Sequence, residues 1–146
     1  MLAEILGAVI VSNQRYLIEP IELNHNMYVR FPRVETINAI AKKEEIIRYG
    51  IKEKYHIDLN LEECFYQEDF MDGTDVISYA YYKASVINGI IPEHLLWIEE
   101  SDMERLKFAP GDNIAVQCIT QKKKSKEEII SVSSQYVNDK KGVCNG

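Results

Sequence analysis

At 146 residues the chain is one domain of ordinary size, long enough for a single hydrophobic core. Apolar residues make up 46% and charged residues 27%, which excludes a disordered polar chain. The formal net charge of -6 argues against the basic stripe of a nucleic-acid binder, and no apolar run approaches the roughly 18 to 20 residues that span a bilayer.

Met1 to Gly7 carries Glu4 and no basic leader, so a soluble, cytoplasmic protein is expected. Ile5 to Val11 is an apolar, β-branched run, followed across Ser12-Asn13-Gln14 by Tyr16 to Ile18, which predicts a β-hairpin. Pro20 cannot donate to a ladder and is expected to end the second strand. Met27 to Phe31 predicts a third strand, stopped by Pro32. Asn38 to Tyr55 is predicted helical, because Ile40, Ile47, Ile51 and Tyr55 fall on one face and Glu44 stands one turn before Arg48. Gly50 lies inside this helix at a cost of roughly 1 kcal/mol relative to Ala, which points to close approach by a neighbouring backbone.

Ile57 to Leu61 leads into a long hairpin with arms from Glu63 to Phe70 and from Asp75 to Val86, turning at Asp72-Gly73. Asn88-Gly89 marks a further turn, and Leu95 to Glu99 is a short strand holding Trp97. Ser101 is placed to cap a short helix through Leu106, with Glu104 completing a capping box. Pro110-Gly111-Asp112 opens a last domain helix, Asn113 to Thr120, with Asp112 as its N-cap. Beyond Lys122-Lys123-Lys124, Ser125 and Glu128 form another capping box. The expected division is therefore a domain over 1–120 and a tail over 121–146 that holds a short helix. Strands interleaved with helices argue an α/β or α+β sandwich. Cys64, Cys118 and Cys144 are widely spaced with no C-x-x-C pair, which points to buried or tail thiols in a reducing cytosol rather than a zinc site.

Several segments in this order resemble the Nudix superfamily, and within it the MutT-like nucleotide pyrophosphohydrolases. Gly7-Ala8-Val9-Ile10-Val11 with Arg15-Tyr16-Leu17-Ile18 is similar to that family's opening hairpin, and Phe31-Pro32 to the start of its Phe-Pro-Gly-Gly segment. Leu96-Trp97-Ile98 with Asp102 to Leu106 resembles its late strand and helix. Phe108-Ala109-Pro110-Gly111-Asp112 resembles the segment in which Pro-Ala-Asn or Pro-Ala-Asp precedes the final helix. The likeness covers about residues 5 to 120 and implies a Nudix-like α/β/α sandwich with a mixed central sheet.

The family's signature requires Arg-Glu-aliphatic-any-Glu-Glu-any-Gly-aliphatic on a helix. Aligned on Ile57-Asp58-Leu59, its core falls on Tyr49 to Ile57. Tyr49 then stands for Arg, Gly50 for Glu, Glu53 for the first of the paired glutamates, Lys54 for the second and His56 for Gly. Upstream, Ala41 takes the place of a further Glu and Glu35 that of the opening Gly. The resemblance implies magnesium-assisted attack of water on a diphosphate, with Mg²⁺ held by carboxylates, water and substrate oxygens. On this reading Glu53 is the surviving metal ligand and catalytic residue, beside a lysine whose charge opposes the metal. Glu45 shares its face but lies eight residues away, about 12 Å along the helix axis, too far for one ion to bridge.

Glu93, in a Glu93-His94 pair that resembles one preceding this strand in MutT-like enzymes, is the second catalytic candidate. Asp112 matches a residue that reads the base edge, with a helix cap as its other role. Phe31, with Tyr79 and Tyr81, is a candidate either to stack on a base or to pack in the core, and Arg33 either to meet phosphate or to lie in a solvated loop. Arg30 is a second candidate for phosphate. Beside a purely structural or oligomeric role, with the cleft filled by Tyr side chains, two functions remain open at this point. One is a catalytically impaired Nudix-like protein that binds a nucleotide or partner in the old cleft, and needs no cofactor. The other is an active hydrolase of nucleoside diphosphate-linked compounds, with Mg²⁺ in a rearranged carboxylate site. A nucleotide or small phosphorylated ligand, and a second copy of the chain in a homodimer, are the expected partners; membrane and nucleic acid are not.

Overall fold

The computed structural model describes residues 1–131, with side chains as far as Gln121. Its elements in chain order are β1 (Leu2–Ser12), β2 (Arg15–Leu23), β3 (Asn26–Arg30), β4 (Arg33–Ile37), α1 (Lys43–Tyr55), β5 (Ile57–Asp72), β6 (Asp75–Gly89), β7 (Leu96–Glu99), a short 3₁₀ turn (Glu100–Glu104) and α2 (Asp112–Ser131). The strands form one mixed sheet in the order β3-β2-β1-β6-β5, in which β4 also pairs with β1 and β7 with β2. β1 runs parallel to β6 and antiparallel to β2 and β4, so the predicted mixed sheet between helices is the observed architecture.

β1 is central because both of its faces are covered, which is why it reads as an almost continuous apolar run. Leu6, Ala8 and Ile10 join a core with Ile47, Ile51 and Tyr55 of α1. Val9 turns the other way, into a second core with Ile18, Tyr81, Phe108 and Ala115. Among the described residues no helix is long and apolar enough to cross a membrane.

The structure corrects several local expectations. Pro20 lies inside β2 rather than at its end. β2 pairs with β7 over Arg15 to Ile18 and with β3 over Glu19 to Leu23, so at Pro20 β3 is the paired neighbour and a missing N–H on the far side costs nothing. The hairpin turns Asn13-Gln14 and Asn24-His25 both carry positive φ at their two central residues, the twist that two-residue hairpins need.

Arg33 to Ile37, to which the sequence assigned no element, is a strand paired with Ala3 to Gly7 of β1. Asn38 extends that tie, donating its backbone N–H to Leu2 O at 2.7 Å and accepting Leu2 N–H on Oδ1 at 2.8 Å. With Asn38 at φ 52, helix cannot begin there; α1 starts at Lys43 and leaves Ile40 fully exposed.

Gly50 packs against a side chain rather than a backbone: a Cβ on it would stand 2.3 Å from Val34 Cγ2. α1 ends at His56, which takes the left-handed conformation (φ 60, ψ 35) and donates its N–H to Lys52 O. The short helix is a 3₁₀ turn, and its closing residue is Asp102, which accepts Glu99 N–H at 2.9 Å, in place of the expected Ser101–Glu104 box. α2 runs on through the lysine run to Ser131, since no Gly or Pro interrupts it. The part of the expected tail helix past Ser131 lies outside the described residues.

Candidate functional site

β1 changes partner along its length. It pairs with β4 over Ala3 to Gly7 and with β2 at Val11 and Ser12, and the ladders part around Ala8, whose N–H donates to Pro32 O at 2.8 Å. The segment Phe31-Pro32-Arg33 crosses this notch between β3 and β4, and two buried carboxylates fix its surroundings.

The first is Glu19. Its Oε1 accepts from Tyr55 Oη at 2.8 Å and from Arg30 Nε at 3.0 Å, while Oε2 lies 3.3 Å from His94 Nε2. Arg30 reaches it because the two residues are register partners on β3 and β2. Tyr55 reaches it from the last residue of α1, and its ring stacks on His94. Burial pushes the Glu19 carboxyl up, but the hydrogen bonds from Tyr55 and Arg30, with the Arg30 and Lys54 charges, outweigh it and hold the group below the ordinary value. The same contact has the opposite effect on its donor: burial and the Glu19 carboxylate push the Tyr55 hydroxyl well up.

The second is Asp112, fully buried at the start of α2. It accepts Phe31 N–H at 2.8 Å and Arg33 Nη2–H at 3.1 Å, and also the Tyr81 hydroxyl. Burial raises its carboxyl above the usual range, against the lowering effect of Arg33. Burial, followed by the Asp112 charge, raises the Tyr81 hydroxyl. Asp112 thus ties the notch to α2, and among the described residues its side chain is given to Phe31, Arg33 and Tyr81 rather than to its own helix.

Arg33 is nine-tenths buried; its Nη1 faces Glu35 Oε2 at 3.6 Å and its Nε has no hydrogen-bond partner. Lys54, one residue before the end of α1, holds its Nζ 5.2 Å from the centre of the Tyr55 ring. Among the described residues no carboxylate lies within ion-pair distance of it. Desolvation, with the Arg30 charge next, lowers the Lys54 ammonium.

Of the residues singled out in the sequence, Arg33, Asp112 and Phe31 are brought together, but as parts of a packed unit. Phe31 is fully buried, 5.4 Å from the Phe108 ring and edge-on to Tyr81, and offers no face to a base in this conformation. Glu53 and Glu93 are both exposed and make no hydrogen bond or ion pair among the described residues. Among those residues, no three His, Cys, Asp or Glu side chains converge as a metal site requires. Sequence reasoning passed over Glu19 and the role of Tyr55. The available signal was a carboxylate directly after buried Leu17 and Ile18 in a strand.

The sheet face that carries Arg33 continues toward an open concavity. Tyr81, Gly7 and Arg33 are lateral neighbours across β6, β1 and β4, and Tyr79, Ile5 and Glu35 form the next row. There Phe70, Ile77, Tyr79, Gly111 and Ile114 line a hollow of about 320 Å³.

No family model matches the sequence, and no curated protein matches it. Solved structures do. A MutT NUDIX hydrolase from Burkholderia pseudomallei is similar over 82% of this chain and 98% of its own, at 18% identity and a TM-score of 0.66. This chain has the Nudix fold. The E. coli ORF135 protein is similar at a TM-score of 0.68 and 13% identity, over 82% of this chain and 89% of its own. The Ap4A hydrolase of C. elegans is similar at 0.55 and 16% identity, over 73% and 86%. These TM-scores show the Nudix fold, which by itself does not fix a function.

Proposed function

We propose that this Nudix-fold protein binds a nucleotide or another small phosphorylated ligand in the β1 notch and does not hydrolyse it. The observation that carries this reading is Lys54: a cation with no carboxylate within ion-pair distance among the described residues, on the helix that the signature assigns to metal binding. There the Arg30 and Arg33 charges act on it together with those of Glu19 and Glu35. His56 supports the alignment behind that assignment, because the position matched to glycine is the one at positive φ. Under the same alignment a glutamate at position 50 has no space, since Val34 occupies it. Glu53 alone remains. A divalent ion needs several oxygen ligands, so this set does not suit Mg²⁺, and no chemical step is derived through one.

What remains fits binding. Glu19 and Asp112 hold Arg30, Tyr55 and Arg33 in fixed positions, and the Tyr79–Phe70 hollow on Arg33's sheet face is apolar enough for a base. The test is a thermal-shift panel of nucleoside triphosphates and ADP-ribose. A ligand present at about 100 times its Kd stabilises the fold by roughly 2.7 kcal/mol, a rise of several degrees. A panel in which nothing raises the melting temperature removes the proposal.

A further inference from the structure

We propose that Lys54 and Arg33 together form an oxyanion site that takes the place of a divalent metal, so that the notch recognises a phosphate-type group without one. This rests on the reading that the notch binds a phosphorylated ligand, and adds how the charge is met.

Two cations keep open donor positions. The Arg33 guanidinium offers five N–H donors in a planar fork; Asp112 takes one at Nη2, and Glu35 stands off Nη1 at 3.6 Å. Its Nε, nine-tenths buried with the rest of the side chain, has no acceptor. A buried donor left unmade is costly, and an incoming oxygen would satisfy it. Lys54 likewise has no acid within ion-pair distance among the described residues, only the Tyr55 ring beneath it.

The two buried acids nearby cannot fill this role, and Glu35 is exposed and stands at Arg33 Nη1. Glu19 is already engaged by Tyr55, Arg30 and His94, and Asp112 by Phe31, Arg33 and Tyr81. Lys54 lies over the Tyr55 ring, whose hydroxyl shares the Glu19 carboxylate with Arg30. Arg30 and Arg33 flank the Phe31-Pro32 step that crosses the notch, so the ammonium and the guanidinium border the same notch. Two cations bordering one notch with open donor positions favour a multiply charged oxyanion. The same pair repels a magnesium ion. An ammonium on a flexible stem and a planar guanidinium fork are complementary in reaching one phosphate or two adjacent ones.

The experiment is calorimetric titration of the full chain with inorganic pyrophosphate and with ADP-ribose, each once in EDTA and once in Mg²⁺. The expected result is an affinity the same within about twofold in both conditions. Lys54→Met should weaken binding by roughly tenfold or more, the loss of a charge-assisted contact. Lys54→Arg should retain most of the affinity. Lys52→Met removes the same charge from a residue paired with Asp58, and should leave affinity unchanged. Melting temperatures of all variants report whether each is folded. Binding that requires Mg²⁺, or that Lys54→Met leaves intact, overturns the oxyanion site while the notch still binds. Absence of binding in both conditions overturns it together with the reading it rests on.

Discussion

Replacing Asp112 with Ala tests the packed unit that organises the notch. The carboxylate is fully buried and serves three donors: Phe31 N–H between β3 and β4, Arg33 Nη2–H on β4 and the Tyr81 hydroxyl on β6. Removing one partner of a buried ion pair costs about 3 to 5 kcal/mol, because the remaining charge is stranded. Glu35, 3.6 Å from Arg33 Nη1, is exposed and offsets only part of this. The loss of the acceptor for Phe31 N–H adds to it, while the raised carboxyl of Asp112 marks a desolvation penalty that the substitution relieves. A net cost of about 3 to 4 kcal/mol follows, a large fraction of a typical domain stability of roughly 5 to 15 kcal/mol. For a chain of this size that corresponds to a drop of very roughly 10 °C in melting temperature. Urea and thermal melts of Asp112→Ala, Arg33→Met and the Asp112→Leu/Arg33→Met double variant measure it. The double variant should cost less than the sum of the singles, since no charge is left unpaired. A loss under about 1 kcal/mol for Asp112→Ala, or strict additivity in the cycle, refutes the assignment and frees Asp112 to face a ligand.

Three further outcomes are expected. Gly50→Ala gains helix propensity but drives a methyl into Val34, so it should destabilise by about 1 to 3 kcal/mol, with partial recovery when Val34→Ala is added; both are read by urea melts. Glu19 has a lowered folded pKa, so its contribution to stability is present above its ordinary value of 4.5 and is lost as pH falls through the folded value. The stability gap between wild type and Glu19→Gln should therefore hold at neutral pH and shrink under acid, in urea melts taken down to about pH 3. Glu53→Gln and Glu93→Gln, exposed and unpartnered among the described residues, should each change stability by no more than about 0.5 kcal/mol by the same assay.

The parts of this fold set by local pattern were legible in the sequence. The buried stripe Ile47, Ile51 and Tyr55 follows from helical spacing, and the two-sided apolar run of β1 announces a central strand. β4 was not legible: in Arg33-Val34-Glu35-Thr36-Ile37 the two apolar residues, Val34 and Ile37, stand three apart rather than two, and its strand character comes from pairing with Ala3 to Gly7 far away in sequence. Ile40 matched the helical face, but the Asn38–Leu2 hydrogen bonds hold that segment to the sheet and prevent the helix from reaching it.

At the site, sequence could name Arg33 and Asp112 but not their relation, which spans 79 positions. Glu19 was hidden for the same reason. Its donors lie 11 residues away at Arg30, 36 at Tyr55 and 75 at His94, so only the folded chain assembles them. Lys54 is the reverse case. Its charge was plain in the sequence, and the structure added its surroundings: the Tyr55 ring and the charges of Arg30, Glu19, Glu35 and Arg33.

The most direct measurement is release of phosphate or pyrophosphate from nucleoside triphosphates and ADP-ribose by the purified chain in Mg²⁺ or Mn²⁺, alongside Glu53→Gln. The account predicts no release above the level shown by that variant, from a protein that nonetheless binds at least one member of the panel. Turnover by the wild type that disappears in Glu53→Gln would contradict it, and would place a working metal site on α1.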